Sequence, residues 1–184
     1  MIRAEKSRAA EAKAKRPGTA RRGPSGDEAL PKSGAHEEQV ALDPFMLAAI
    51  KEARKSLKQG GIPIGAALVR EGKLIAVGHN QRVQKDDPVA HAETDCLHNA
   101  GRIGSFRECT LYSTLMPCFF CAGAAVQFGI KRIIVGERRN FAGAEKFLRR
   151  EGIEVVDLDL VECREMMARF IREHPKLWNE DIGR

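Results

Sequence analysis

No apolar run in this chain approaches the length of a membrane-spanning helix. No apolar stretch near its start could serve as a secretory signal. Cysteine is sparse and odd in number, at five. That argues against a disulfide framework and for a reducing, cytoplasmic setting. Internal repeats are absent. The body also lacks excess charge, despite a net +6 for the chain. Residues 1–22 hold eight of the 31 basic residues and two of the 25 acidic ones, leaving 23 of each sign in the rest. A neutral body argues against nucleic acid as partner, because such proteins carry a basic face on the domain itself.

Residues 1–39 have almost no large apolar side chains and are rich in Ala, Gly, Pro, Ser and charge. They read as a disordered basic tail. Residues 40–184 read as one domain, since a hydrophobic content of 43% supports a sizeable core.

What the domain does have is His91-Ala92-Glu93 and Pro117-Cys118-Phe119-Phe120-Cys121. One His and two Cys make three protein ligands for a zinc ion, and a catalytic zinc keeps its fourth position for water. Two Cys spaced by two residues at a helix start turn their sulfurs toward one place. Pro117 suits that start, where a missing N–H costs nothing. The free N–H groups of the first turn favour thiolates. His91 and Glu93 open another apparent helix, Ala90 to Ala100, closed by Gly101. Cys96, Cys109 and Cys163 are scattered, with no second C-x-x-C pair to close a structural site. His79 reads as a hydrogen-bonding residue, because a fourth protein ligand would close the metal site.

H-x-E with P-C-x-x-C is the signature of zinc deaminases. In that chemistry zinc lowers the pKa of water to about 7. A carboxylate held off the metal, here Glu93, moves protons from water to a ring nitrogen and then to the departing amino group.

The remaining pattern places these motifs. Asp43-Pro44 caps a helix running through Lys58, and Gln59-Gly60-Gly61 ends it. Ile64–Val69 and Leu74–Gly78 form a hairpin. Gln81–Val89 reads as a polar loop. Strands are expected at Thr110–Thr114, Lys131–Val135 and Glu154–Leu158. Helices are expected at about Cys118–Phe128, Ala144–Arg150 and Val161–Glu173. Pro175 breaks the last, leaving a short terminal segment. Alternation of the last three strands with helices implies parallel crossovers. The expected fold is therefore α/β, a three-layer α/β/α sandwich with a mixed five-stranded sheet.

With the motif on these elements, the chain resembles the cytidine deaminase superfamily, and within it the fungal-type cytosine deaminases. The resemblance spans about Asp43 to Gly183. It also rests on Gly61-Ile62-Pro63-Ile64-Gly65, Gly78-His79-Asn80, Val135-Gly136-Glu137 with Asn140-Phe141, and Trp178 with Glu180-Asp181-Ile182-Gly183. It implies one zinc per chain on His91, Cys118 and Cys121, with Glu93 as proton shuttle. It implies that Asn80 donates to a ring carbonyl and Asp181 accepts from the amino group. Phe141 and Trp178 would wall the base and Ile64 would pack on it. A homodimer acting on a small molecule is implied as well. Two positions depart from the fungal pattern: Ala92 stands for a common glycine and Met116 for a serine. Both adjoin ligands and so shape the pocket. Free cytosine is the expected substrate. Guanine, isocytosine, creatinine, a nucleoside, nucleic-acid editing or a non-catalytic zinc fold remain as alternatives.

Overall fold

The computed structural model describes residues 43–184, and the tail read over residues 1–39 lies outside them. Helix α1, Pro44–Lys58, starts as its sequence directs. The Asp43 carboxylate accepts from the Phe45 and Met46 N–H groups, at 2.9 and 3.3 Å. Such a cap contributes about 1 kcal/mol. Strands β1 (Gly65–Arg70) and β2 (Lys73–His79) pair antiparallel. Their turn places Glu71 and Gly72 at φ 52° and 69°, the backbone of a tight hairpin.

A single helical turn, α2 (Arg82–Lys85), follows, then α3 (Ala92–Ala100), β3 (Cys109–Ser113) and α4 (Phe119–Phe128). The chain continues through β4 (Arg132–Val135), α5 (Glu145–Arg150), β5 (Glu154–Asp157), α6 (Val161–Glu173) and α7 (Pro175–Asp181). The sheet order is β2-β1-β3-β4-β5. β1 runs antiparallel to β3, and β3, β4 and β5 run parallel. This is the expected mixed five-stranded sheet.

Alternate side chains divide the core between the two faces. Ala66, Leu68, Leu111, Ile133, Val135 and Val155 face the layer that includes Cys96, Leu97 and Ala122 from α3 and α4. Ala67, Val69, Tyr112 and Ile134 face Met46, Ala49 and Ile50 of α1 and Cys163 of α6. Period-two burial on both faces is what a sandwiched sheet requires.

Two stretches differ from the sequence pattern. The polar loop after β2 contains the turn α2. The terminal segment is a helix: Pro175 ends α6 and also occupies the first turn of α7, with His174 as the bend between them. Proline is suited to both places, because it lacks the N–H that neither position uses.

Candidate active site

Two helix starts build the metal-binding floor. His91 is the N-cap of α3 and Cys118 the N-cap of α4, each with extended backbone. Cys121 lies one turn into α4. The ligand atoms of His91, Cys118 and Cys121 all lie within 4.8 Å of one another. Cys118 Sγ is 3.5 Å from His91 Nδ1. The close approach of α3 to the sheet requires Gly78, where a Cβ would come within 2.2 Å of the Cys96 nitrogen and 2.6 Å of the Ala92 carbonyl.

These three groups titrate as a coupled set. A hydrogen bond from Cys121 draws the Cys118 thiol down to about 4, against burial and with help from His91. The same contact, with burial, pushes the Cys121 thiol up. Burial alone would lower His91, but Cys118, Glu93 and Asp181 together raise it to about 8. One nitrogen and two sulfurs form a donor set fitting zinc, which would displace their protons on binding and keep a fourth position open. His79 stands apart from this trio. Its Nε2 is 3.0 Å from Gln59 Oε1 and its Nδ1 is 3.0 Å from Glu52 Oε2.

Glu93 follows its ligand into the first turn of α3 and is buried. Burial raises its carboxyl, and the charge of Cys118 raises it further. A carboxyl so placed holds a proton more readily than an exposed one. Ser113 Oγ, from the end of β3, donates to Glu93 Oε1 at 3.1 Å and fixes its orientation.

Above the floor is a small cavity of about 10 Å³, lined by Ile64, His91, Glu93, Leu115, Met116, Cys118, Phe141, Trp178 and Asp181. Phe141 and Trp178 meet edge to face, with centroids 5.6 Å apart and planes at 89°. The loop carrying Phe141 is anchored by Glu137, whose carboxylate accepts from the Arg139 and Asn140 N–H groups at 2.6 and 3.0 Å. It also rests on Gly143, at φ 49°, where a Cβ would lie 2.4 Å from the Pro117 carbonyl.

Asp181 closes the cavity from α7. Its Oδ1 is 3.9 Å from His91 Nε2 and accepts from Arg82 Nη1 at 2.8 Å. Burial raises its carboxyl, while His91 and Arg82 pull it back.

The fold thus gathers eight of the residues named from sequence on one cavity: Ile64, His91, Glu93, Met116, Cys118, Phe141, Trp178 and Asp181. Cys121 completes the trio from behind. Asn80 and Ala92 are fully buried but are not on the cavity wall. The Asn80 Nδ2 donor has no partner among the described residues, while its Oδ1 accepts from the Arg82 N–H at 3.1 Å. Arg82, Ser113 and Leu115 were not legible as site residues. Ser113 and Leu115 read as ordinary strand and connector, and Arg82 as one charge in a polar loop.

Residues 28–137 match the Cytidine and deoxycytidylate deaminase zinc-binding region. The chain is 46% identical over 148 residues to a cytosine deaminase of Candida albicans, covering 79% of this chain and 93% of that protein. It is 37% identical over 143 residues to a tRNA-specific adenosine deaminase of Bacillus subtilis, covering 70% and 88%. A solved tRNA:A34 deaminase superposes with a TM-score of 0.59 at 29% identity, covering 66% of this chain and 97% of that one. With its ligand trio, its adjacent carboxylate and this match, the chain belongs to the zinc-dependent cytidine and deoxycytidylate deaminase family.

Proposed function

We propose that this protein hydrolyses the exocyclic amino group of a free nucleobase, cytosine, giving uracil and ammonia. One observation carries the reading: the cavity over His91 and Glu93 is closed by Phe141, Trp178 and Asp181. Its free volume is about that of one water. A flat base would enter as this cover yields, and the closed cover would leave little room for an attached ribose. Identity to a protein named as a cytosine deaminase supports the choice of base.

His91, Cys118 and Cys121 would hold zinc. When bound, zinc supplies a water acidic enough to react near neutral pH. Glu93 would accept one proton from that water and deliver it to the ring nitrogen beside the attacked carbon, then take the second proton from the added hydroxyl and deliver it to the amino group, which leaves as ammonia. Ser113 keeps the Glu93 carboxylate turned to its task. Asp181 would accept from the amino group. The unpartnered Asn80 donor would serve the ring carbonyl. Phe141 and Trp178 would hold the ring flat and exclude water.

Ammonia release across cytosine, cytidine, guanine, isocytosine, creatinine and a tRNA anticodon loop tests the reading. Cytosine should be turned over far faster than the others. Better turnover of cytidine or of the RNA would reject the closed free-base pocket.

The active form proposed is a homodimer. On α4, Phe119, Phe120 and Phe128 are 69%, 50% and 47% exposed. Phe120 and Phe128 border a groove of about 1060 Å³ with Leu97, Ile103 and Phe106. An apolar surface of this kind on the helix that carries both Cys ligands suits a second copy of the chain. Light scattering should give twice the chain mass, and Phe120→Asp should lower it. A monomeric wild type would reject this assembly. The five free cysteines suit a reducing compartment such as the cytoplasm. Among the described residues, no helix is long and apolar enough to cross a membrane.

A further inference from the structure

Arg82 touches both polar residues assigned to the base. Its backbone N–H donates to Asn80 Oδ1 at 3.1 Å. Its Nη1 donates to Asp181 Oδ1 at 2.8 Å, 99 residues away in sequence. Two further bonds leave the guanidinium: Nη2 donates to Glu180 Oε1 at 3.3 Å and Nε to the Pro88 carbonyl at 3.3 Å. The side chains of Arg82 and Asp181 are 11% and 6% exposed, so water screens their pair little. The Glu180 side chain is 70% exposed, so that contact contributes little.

These contacts have different consequences at the two ends of the site. An amide is symmetric in shape, and only its partners decide which end is oxygen. The Arg82 N–H takes the Asn80 oxygen, which leaves Nδ2 as the free donor. The Asp181 carboxylate, on the short helix α7, has the Arg82 guanidinium at hydrogen-bond distance and His91 Nε2 at 3.9 Å. The guanidinium holds one of its oxygens and leaves the other to accept. A planar, permanently charged fork does this better than an ammonium, because its donors are fixed relative to one another.

We propose that Arg82 is a positioning residue for base recognition, orienting the Asn80 amide through its backbone and the Asp181 carboxylate through its guanidinium. The inference rests on the assignment of Asn80 and Asp181 to the base made above. Its weight falls on the Asp181 side, where the side chain acts. Arg82 touches no reacting atom.

The test uses full-length, zinc-loaded Arg82→Ala, Arg82→Gln and Arg82→Lys. In Arg82→Ala, kcat/KM for cytosine should fall roughly 10- to 100-fold, the usual loss for a group that orients a site residue. Zinc content should stay at the wild-type level. Arg82→Lys should lie between Arg82→Ala and wild type. Low millimolar guanidinium should restore part of the Arg82→Ala activity, and the same concentration of sodium chloride should not. Binding of 2-pyrimidinone, which keeps the ring carbonyl and has no amino group, should weaken much less than cytosine turnover.

Unchanged kcat/KM in Arg82→Ala would overturn the proposal. So would a loss that guanidinium does not relieve and that follows a lower thermal midpoint or lost zinc, which marks a staple of the fold. Equal loss for cytosine turnover and 2-pyrimidinone binding would overturn it too, because the Asp181 side would then not be singled out. If wild-type enzyme releases no ammonia from cytosine, the substrate reading fails by itself. The same variants assayed on guanine, or on whichever base of the panel is turned over, then decide the role of Arg82.

Discussion

The floor and the cover of the active site are built in different ways. The floor is two helix N-termini set against the central strands. His91, Glu93, Cys118 and Cys121 lie within the first turns of α3 and α4, and each helix packs on the buried sheet. The cover is one seven-residue helix, α7. It meets the site through the Phe141–Trp178 edge contact and the Arg82–Asp181 pair. The edge contact contributes about 1 kcal/mol beyond burial. The proposed metal ligands therefore stand on elements packed on the sheet, while two of the proposed base contacts, Trp178 and Asp181, stand on one short helix.

The largest expected effect breaks the floor. Cys121→Ala should lose both zinc and activity, since two ligands cannot hold the ion. Full zinc by metal analysis in that variant would remove the site. Truncation after Pro175 should separate the two regions: turnover is abolished while zinc stays bound, because no ligand comes from α7. An active truncated enzyme would mean that α7 is not the cover. The smallest of the three effects sharpens the floor. Glu93→Gln should keep zinc and bind the base, yet lose turnover by about 10²–10⁴-fold, the range for general acid–base groups. Retention of more than about a tenth of the turnover would show that another group moves the protons.

The floor was legible because its geometry is local. H-x-E and P-C-x-x-C each place their residues within a single turn, so spacing reports direction. Helix α1 was legible for a similar reason, since Asp43 and Pro44 are both start signals. The turn α2 was not, because four residues carry no apolar period. Helix α7 was legible only as a short terminal segment, because proline both stops one helix and starts another. Nothing near Pro175 in sequence says which. The placement of Phe141, Trp178 and Asp181 over the metal came from resemblance, and periodicity alone would have left them apart.

Residue types and their spacing determined that this chain holds zinc beside a carboxylate and folds as helices around a mixed sheet. Short-range constraints suffice for that: ligand directions at helix starts, and alternation along strands buried on both faces. Only the tertiary structure decided that Ser113 orients Glu93 and that Arg82 reaches Asp181 across 99 residues. It also decided that Asn80 and Ala92 are fully buried and do not line the cavity. A lone serine in a strand or arginine in a polar loop has many possible partners. Which one it meets is fixed by how distant segments pack, and no local pattern records that.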